Sequence, residues 1–416
     1  MTKRRVRALA GVAACAASLA LAQNNGAENW VTTWTTAQQL IAATGPPRPA
    51  RQKGPEASNL PASLADQTVR MVAHISAGGR RVRVELSNML NAQPLEIGAA
   101  HLAIGTAGGE IADGTDRVLR FGGNASFTIP AGAITVSDPV DLEVTPLSDL
   151  AVSVYVPRDT GAVGNHTVGL HTAYISKGNT AGSRSMPEPA TMFAYAWLAG
   201  IDVAASRDAY TIVALGDSIT DGFATTRDAN KAWPTLLAKR LQENKSTAHV
   251  AVVNQGISGN QVLRDGAGIS ALARLDRDVL TRPGVKWVIL LEGINDINTR
   301  TRPDGTNPLT ADELIWGYRQ IIERCHAHGI KVIGATLTPS EGVPTYSELG
   351  EQVRVAANRW IRTKGNFDAV VDLEAGVRDP EHPAKLKAEV DSGDHIHPND
   401  VGNQVMANAF DLGVFQ

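Results

Sequence analysis

Apolar positions along the chain follow two regimes, and the change comes near residue 205. Before it, hydrophobic and polar residues alternate. Val69, Met71, Ala73 and Ile75 share one parity, Gly78-Gly79 follows, and Val82, Val84 and Leu86 alternate again. A period of two places one side of a strand in the core, and two such runs around Gly-Gly predict a hairpin. Further strands are predicted over Ala100–Ile104, Ser126–Ile129, Ala133–Val136 and Leu150–Val156, where Val152, Val154 and Val156 share a face. Pro, Gly and Asp punctuate the whole stretch. Residues 23–205 therefore read as an antiparallel β-sandwich or jelly-roll-like domain. Ala43–Ala62, rich in Pro, Ala and Arg, reads as a surface excursion from it.

From Tyr210 the pattern becomes short apolar runs separated by amphipathic helical stretches. Strands are predicted over Thr211–Leu215, His249–Asn254, Lys286–Leu291, Ile330–Thr336 and Ala369–Leu373. Helices are predicted over Lys231–Asn244, Gly268–Leu280, Ala311–His328, Tyr346–Thr363 and Asn399–Phe410, with an excursion at Thr301–Pro308. Strands joined by helices imply a parallel sheet covered on both faces, and right-handed crossovers make residues 206–416 a three-layer α/β/α domain. Such sheets bind ligands beyond the carboxyl ends of their strands.

Composition changes the picture mainly at the start. With 43% hydrophobic and 19% charged residues over 416 positions, the chain is an ordinary globular protein. Residues 1–22 differ: Lys3, Arg4, Arg5 and Arg7 precede an apolar run ending Ala20-Leu21-Ala22, the order of a secretory signal with cleavage before Gln23. The run is shorter than the roughly 20 residues that span a bilayer, so the sequence predicts a secreted or periplasmic protein without stable membrane insertion. Val12-Ala13-Ala14-Cys15 looks like a lipoprotein box, but more apolar sequence follows Cys15, which disfavours anchoring there. Removing this segment takes 39 Lys and Arg to 35 against 42 Asp and Glu, a balance of −7. That balance gives no footprint for nucleic acid or anionic lipid. Cys325, the one cysteine left, lies in a helical pattern and reads as a buried small hydrophobe.

Candidate chemistry gathers where predicted strands end. Gly216-Asp217-Ser218 follows the first, Gln255-Gly256-Ile257-Ser258-Gly259-Asn260 the second, and Glu292-Gly293-Ile294-Asn295-Asp296 the third. Asp391-Ser392-Gly393-Asp394-His395-Ile396-His397-Pro398 precedes the last helix. One sheet edge thus collects a serine, glycine amides, an asparagine amide and Asp/His pairs. Acyl transfer needs this inventory: a hydroxyl with a base to take its proton, an acceptor to fix the base's tautomer, and donors for the developing oxyanion. Each group also has a plain structural reading. Ser218 can cap the following helix, Gly259 can be a turn residue, Asn295 a cap, and Asp394-x-x-His397 a locally bonded loop. Asp217 and Asp296 read as loop supports, and His395 competes with His397 for the role of base. Trp30 and Trp34 read as core, although a sugar platform is the other use of such a pair. His166 and His171 stay ambiguous, and no Cys or His spacing points to a metal.

Gly-Asp-Ser-Ile, Gly-x-x-Gly-Asn, Gly-x-Asn-Asp and Asp-x-x-His, in that order, resemble the four signature blocks of the SGNH (GDSL) hydrolases from Tyr210 onward. The resemblance implies a flavodoxin-like α/β/α fold with Ser218 as nucleophile, His397 as general base and then acid, and Asp394 orienting it. It implies an oxyanion hole made by the Ser218 and Gly259 backbone N–H groups and the Asn295 side chain. The stretches Leu-Leu-Glu-Gly-Ile-Asn-Asp and Asp-Ser-Gly-Asp-His-Ile-His-Pro-Asn-Asp resemble a secreted, acetylxylan-esterase-like branch with an amino-terminal β-domain. The reading is a serine esterase without a cofactor, cleaving short acyl groups, acetyl above all, from a small ester or an acetylated polysaccharide. A lipase or arylesterase on small lipophilic esters is the alternative. A carbohydrate-binding protein without activity, and an acyltransferase, stand behind it.

Overall fold

A computed structural model describes residues 28–39, 59–301 and 308–416. The expected signal segment, Cys15, most of the Pro-rich stretch and the interior of the Thr301–Pro308 excursion lie outside the described residues.

The amino-terminal half is built from two antiparallel sheets. One runs in the order Asn29–Thr35, Leu198–Ala205, Gly79–Ser87, Ile134–Val136, with Val140–Val144 also paired to Gly79–Ser87. The other runs Ala190–Met192, Ala173–Lys177, Gln67–His74, Asp149–Val156, Ala99–Ile104, Arg117–Val118. Their inner faces form one core. Val31, Val82, Val84, Ile201 and Val203 of the first pack with Val69, Met71, Leu102, Val152 and Val154 of the second, all buried. Each such side chain contributes roughly 1.5–3 kcal/mol when fully withdrawn from water. This is a β-sandwich, with Trp197 buried in its core.

The Gly78-Gly79 hairpin is not formed. Gln67–His74 and Gly79–Ser87 lie in different sheets, so the Gly-Gly stretch carries the chain from one layer of the sandwich to the other. Glycine is needed there for close approach: a Cβ on Gly78 would sit 2.4 Å from the Val144 carbonyl oxygen. Alternation marks which residues face the core, but both layers face the same core, so it does not identify a strand's partner.

From Tyr210 the chain forms a parallel five-stranded sheet ordered Val250–Gly256, Tyr210–Gly216, Val285–Leu291, Lys331–Ala335, Ala369–Val371. That is the 2-1-3-4-5 order of the flavodoxin-like fold. All seven residues of Tyr210–Gly216 are buried, as a strand flanked by neighbours and covered on both faces requires. The helices start where local chemistry allows. Thr310 and Glu313 make a reciprocal capping box for Ala311–Ala327, and Ser347 caps Glu348–Arg362. The helix expected over Gly268–Leu280 begins at Ala271 and ends in a wider π turn over Asp276–Leu280.

The two halves are joined by specific bonds. Thr32 N–H donates to the Pro283 carbonyl at 3.0 Å, Thr211 Oγ1 to the Thr32 carbonyl at 2.9 Å, and Thr35 Oγ1 to the Asn254 carbonyl at 2.9 Å. Arg282 reaches Glu85 at 2.9 Å. Cys325 is fully buried, and burial pushes its thiol up to about 12. Among the described residues no helix is long and apolar enough to cross a membrane.

Candidate active site

Ser218 opens a four-residue helix, Ser218–Asp221, immediately beyond the central strand. Asp217 is its N-cap, and its Oδ1 accepts the Ile219 N–H at 3.0 Å. Asp217, not Ser218, does the capping, which leaves the serine side chain for another partner. That partner is His397. Its Nε2 lies 2.7 Å from Ser218 Oγ, and its Nδ1 lies 2.5 Å from Asp394 Oδ2.

The tautomer follows from the partners. A carboxylate only accepts, so Nδ1 carries the proton and Nε2 is left to accept the Ser218 hydroxyl proton. Asp394 Oδ1 also accepts the backbone N–H groups of His397 at 2.9 Å and Ile396 at 3.2 Å. Burial works to raise the Asp394 carboxyl, but the hydrogen bond and charge of His397 and these N–H groups outweigh it. They hold it well below the usual carboxylate range. Phe223 packs on the His397 ring with centroids 4.4 Å apart. The competitor His395 points elsewhere: its Nδ1 pairs with Asp391 at 2.8 Å, and half of its side chain is in solvent.

Strand register brings the other groups alongside. Gly216 pairs with Gly256 on one side and Leu291 on the other, so Ser218, Gly259 and Asn295 each lie a few residues past the ends of adjacent strands. Gly259 has φ of 82°, a left-handed conformation suited to glycine. Asn295 lies in the first turn of Ile294–Arg300. Gly293, not Asn295, is the N-cap of that helix, and Asn295 Nδ2 is buried with no hydrogen-bond partner among the described residues. Asp296 is a loop support: its carboxylate accepts the Val262 N–H at 2.8 Å and the Leu263 N–H at 3.0 Å.

A buried polar layer lies beneath these loops, and no motif marks it in the sequence. Arg274 is 1% exposed. It donates to the Gly216 carbonyl at 3.0 Å, the Gln255 carbonyl at 2.7 Å and Asn260 Oδ1 at 2.9 Å. It also pairs with Asp278 at 3.0 Å. Glu292 sits 3.6 Å from it but accepts no hydrogen bond, and burial together with Asp217 pushes its carboxyl well above the usual carboxylate range. Burial likewise raises Asp217 to about 7 and Asp296 to about 6. On the amino-terminal side, His166 reaches in to Asp221, the last residue of the serine's helix, at 2.8 Å. His171 instead bonds Asn230 at 2.8 Å. Trp34 packs edge-on against Tyr195 at 5.0 Å, and Arg83 covers the Trp30 ring at 4.5 Å. Among the described residues no group of three or more His, Cys, Asp or Glu is placed to hold a metal ion.

A buried hydroxyl bonded to an imidazole, itself bonded to a carboxylate, at the carboxyl edge of a flavodoxin-like sheet, is an arrangement suited to nucleophilic acyl transfer. Residues 214–405 match the model of the GDSL-like lipase/acylhydrolase family. No curated protein matches the chain. Among solved structures, it is similar to a catalytic mutant of an acetylxylan esterase from Geobacillus stearothermophilus at 22% identity, over 50% of this chain and 94% of that one, with a TM-score of 0.38. It is similar to the aryl esterase of M. smegmatis at 18% identity, over 48% and 96%, with a TM-score of 0.38. A GDSL-like lipase from Bacteroides thetaiotaomicron shares 20% identity over 48% and 84%, with a TM-score of 0.35.

Proposed function

We propose that the protein is an exported serine ester hydrolase that removes short acyl groups, acetyl above all, from carbohydrate. The observation that carries the reaction class is the hydrogen-bonded line from Ser218 Oγ through His397 to Asp394. In this reading His397 Nε2 takes the hydroxyl proton as Ser218 Oγ bonds to the ester carbonyl carbon. The carbonyl π electrons move onto oxygen, which lies between the Ser218 and Gly259 N–H groups and Asn295 Nδ2. Collapse breaks the bond to the alkoxy oxygen, and His397 gives its proton to the departing alcohol. A water, deprotonated by the same imidazole, then attacks the acyl-serine, and release of the acid restores Ser218. Each oxyanion donor contributes roughly 3–4 kcal/mol to the barrier reduction.

The sugar-ester substrate rests on the wording of the Asn295 and His397 blocks, and export on the basic, apolar, small-residue order of residues 1–22, with residues 23–205 and 206–416 as the two domains. The test compares the protein with Ser218→Ala on 4-nitrophenyl acetate, 4-nitrophenyl octanoate and acetylated xylan. Acetate release from xylan that disappears in Ser218→Ala is the expected result. Preference for octanoate with no release from xylan would replace the carbohydrate reading with a lipase or arylesterase. Hydrolysis that survives Ser218→Ala would remove Ser218 as nucleophile.

A further inference from the structure

His166 and Asp221 form a buried pair that the acyl-transfer reading does not use. Their side chains are 4% and 3% exposed, and they are joined at 2.8 Å across the contact between the sandwich and the parallel sheet. Each has a second partner. His166 Nδ1 lies 2.8 Å from the Ala37 carbonyl oxygen. Asp221 Oδ2 accepts both the backbone N–H of Ser258 at 2.8 Å and its hydroxyl at 2.7 Å. Ser258 directly precedes Gly259, so the same carboxylate that meets the sandwich histidine holds, by its N–H and its side chain, the residue just before a proposed oxyanion donor.

The ring's protonation follows from this geometry. Both nitrogens face oxygens that accept, a carbonyl and a carboxylate, so both donate and the ring is an imidazolium. Burial opposes the charge, and Arg274 adds to that opposition. Asp221 beside Nε2 and the Ala37 carbonyl at Nδ1 outweigh both and hold the His166 pKa above its ordinary value. Tyr195 is the nearest aromatic neighbour, with ring centroids 6.4 Å apart. A buried, charge-assisted pair in which both ring nitrogens and both carboxylate oxygens are bonded holds its geometry tightly. The backbones are also in contact, since a Cβ on Gly256 would sit 2.2 Å from the Asp221 nitrogen.

We propose that His166, supplied by the amino-terminal sandwich, is a positioning residue for the oxyanion loop, acting through Asp221 and Ser258 on the Gly259 N–H. The inference rests on the serine-hydrolase reading above. On this account the sandwich is part of the catalytic apparatus: it sets the direction of a donor that neither half of the chain holds in place alone.

The test measures kcat and KM on 4-nitrophenyl acetate for the wild type, His166→Gln, Ser258→Ala and their double variant, with active sites counted by a fluorophosphonate. Gln can replace one of the two His166 bonds but not both. His166→Gln is expected to lower kcat per active site about tenfold with KM within about twofold, because a misaligned donor weakens transition-state binding and leaves ground-state binding alone. Ser258→Ala is expected to act in the same sense, and the double variant to lose less than the product of the two single losses. Thr172→Ala is the control. It deletes another bond between the halves, Thr172 Oγ1 to Asp228 at 2.7 Å, and is expected to keep wild-type kcat. Wild-type kcat in His166→Gln, a rise in KM alone, or losses that multiply in the double variant would overturn the proposal. If His166→Gln does not fold, Ser258→Ala decides: reduced kcat at constant KM supports the relay, and full kcat overturns it. A wild type without Ser218-dependent hydrolysis would remove the esterase reading and this inference together. A hydrolysing wild type with an indifferent His166→Gln removes only the inference.

Discussion

Asn295 is half-buried, and its buried Nδ2 has no partner among the described residues. Leaving such a donor unsatisfied costs about 1–3 kcal/mol, which makes sense where the acceptor is an oxyanion that exists only during turnover. Activity and stability should therefore separate. Asn295→Ala is expected to lower kcat about 10²–10³-fold with KM little changed, while the melting temperature stays level or rises. A fall in melting temperature with kcat intact would make the amide structural. Asp217 provides a second residue-scale test, this one in pH. Its carboxyl ordinarily titrates near 3.8 and is raised to about 7 by burial and by Asp296 and Asp221. Between those values the native state holds a proton that the unfolded chain has lost, so the Asp217 contribution to stability falls as pH rises through this window. Asp217→Asn keeps an oxygen for the Ile219 N–H and never ionises. Its stability relative to wild type should increase by on the order of 2 kcal/mol between pH 5 and pH 8, measured by urea unfolding at both; a constant difference would show that Asp217 is ionised throughout. Ser218, Gly259, Asn295, Asp394 and His397 could be picked out because each falls in a short motif at a strand end. His166 and Asp221 could not, since 55 positions separate them and only the fold brings them together.

At the scale of elements, most strands and helices were readable because burial imposes periods of about two and 3.6 residues. Partnership was not, as the absent hairpin at Gly78-Gly79 shows. The Ser218–Asp221 helix spans too few residues to display any period. Arg274 escaped notice for a different reason. A basic residue in a helical pattern reads as solvent-facing, yet here tertiary packing turns it inward to bind the last turns of two strands. Arg274 is one tie between the Ser218 and Gly259 loops, bonding several groups at once, which predicts a cost beyond one lost contact. Arg274→Met leaves Asp278 with less compensation and removes the guanidinium bonds to Gly216, Gln255 and Asn260. It is expected to destabilise the fold by about 3–5 kcal/mol, read from urea unfolding. A loss below about 1 kcal/mol would mean that the buried arginine contributes as little as a surface one.

At the scale of the whole molecule, the two halves are wired differently. The parallel sheet joins strands through successive crossovers, whereas the first sandwich strand, Asn29–Thr35, is secured entirely by distant sequence. Thr32 Oγ1 donates to Asp202 across 170 residues of chain, and its N–H reaches Pro283. Contacts of long separation form late because the loop-closure entropy must be overcome first. In refolding followed by pulsed hydrogen exchange, amides of Val213–Leu215 should gain protection before those of Val31 and Thr32; simultaneous protection would show that the halves fold as one unit. The same wiring bears on synthesis. A ribosome adds about 5–20 residues per second, so Thr32 is made roughly 12–50 s before Pro283. Until Leu198–Ala205 has been made to pair with it, this edge strand exposes its unused hydrogen-bonding groups to other chains. For this protein the hazardous stage of biogenesis falls before the catalytic half has been translated, and a holding chaperone would have most to protect at residues 29–35.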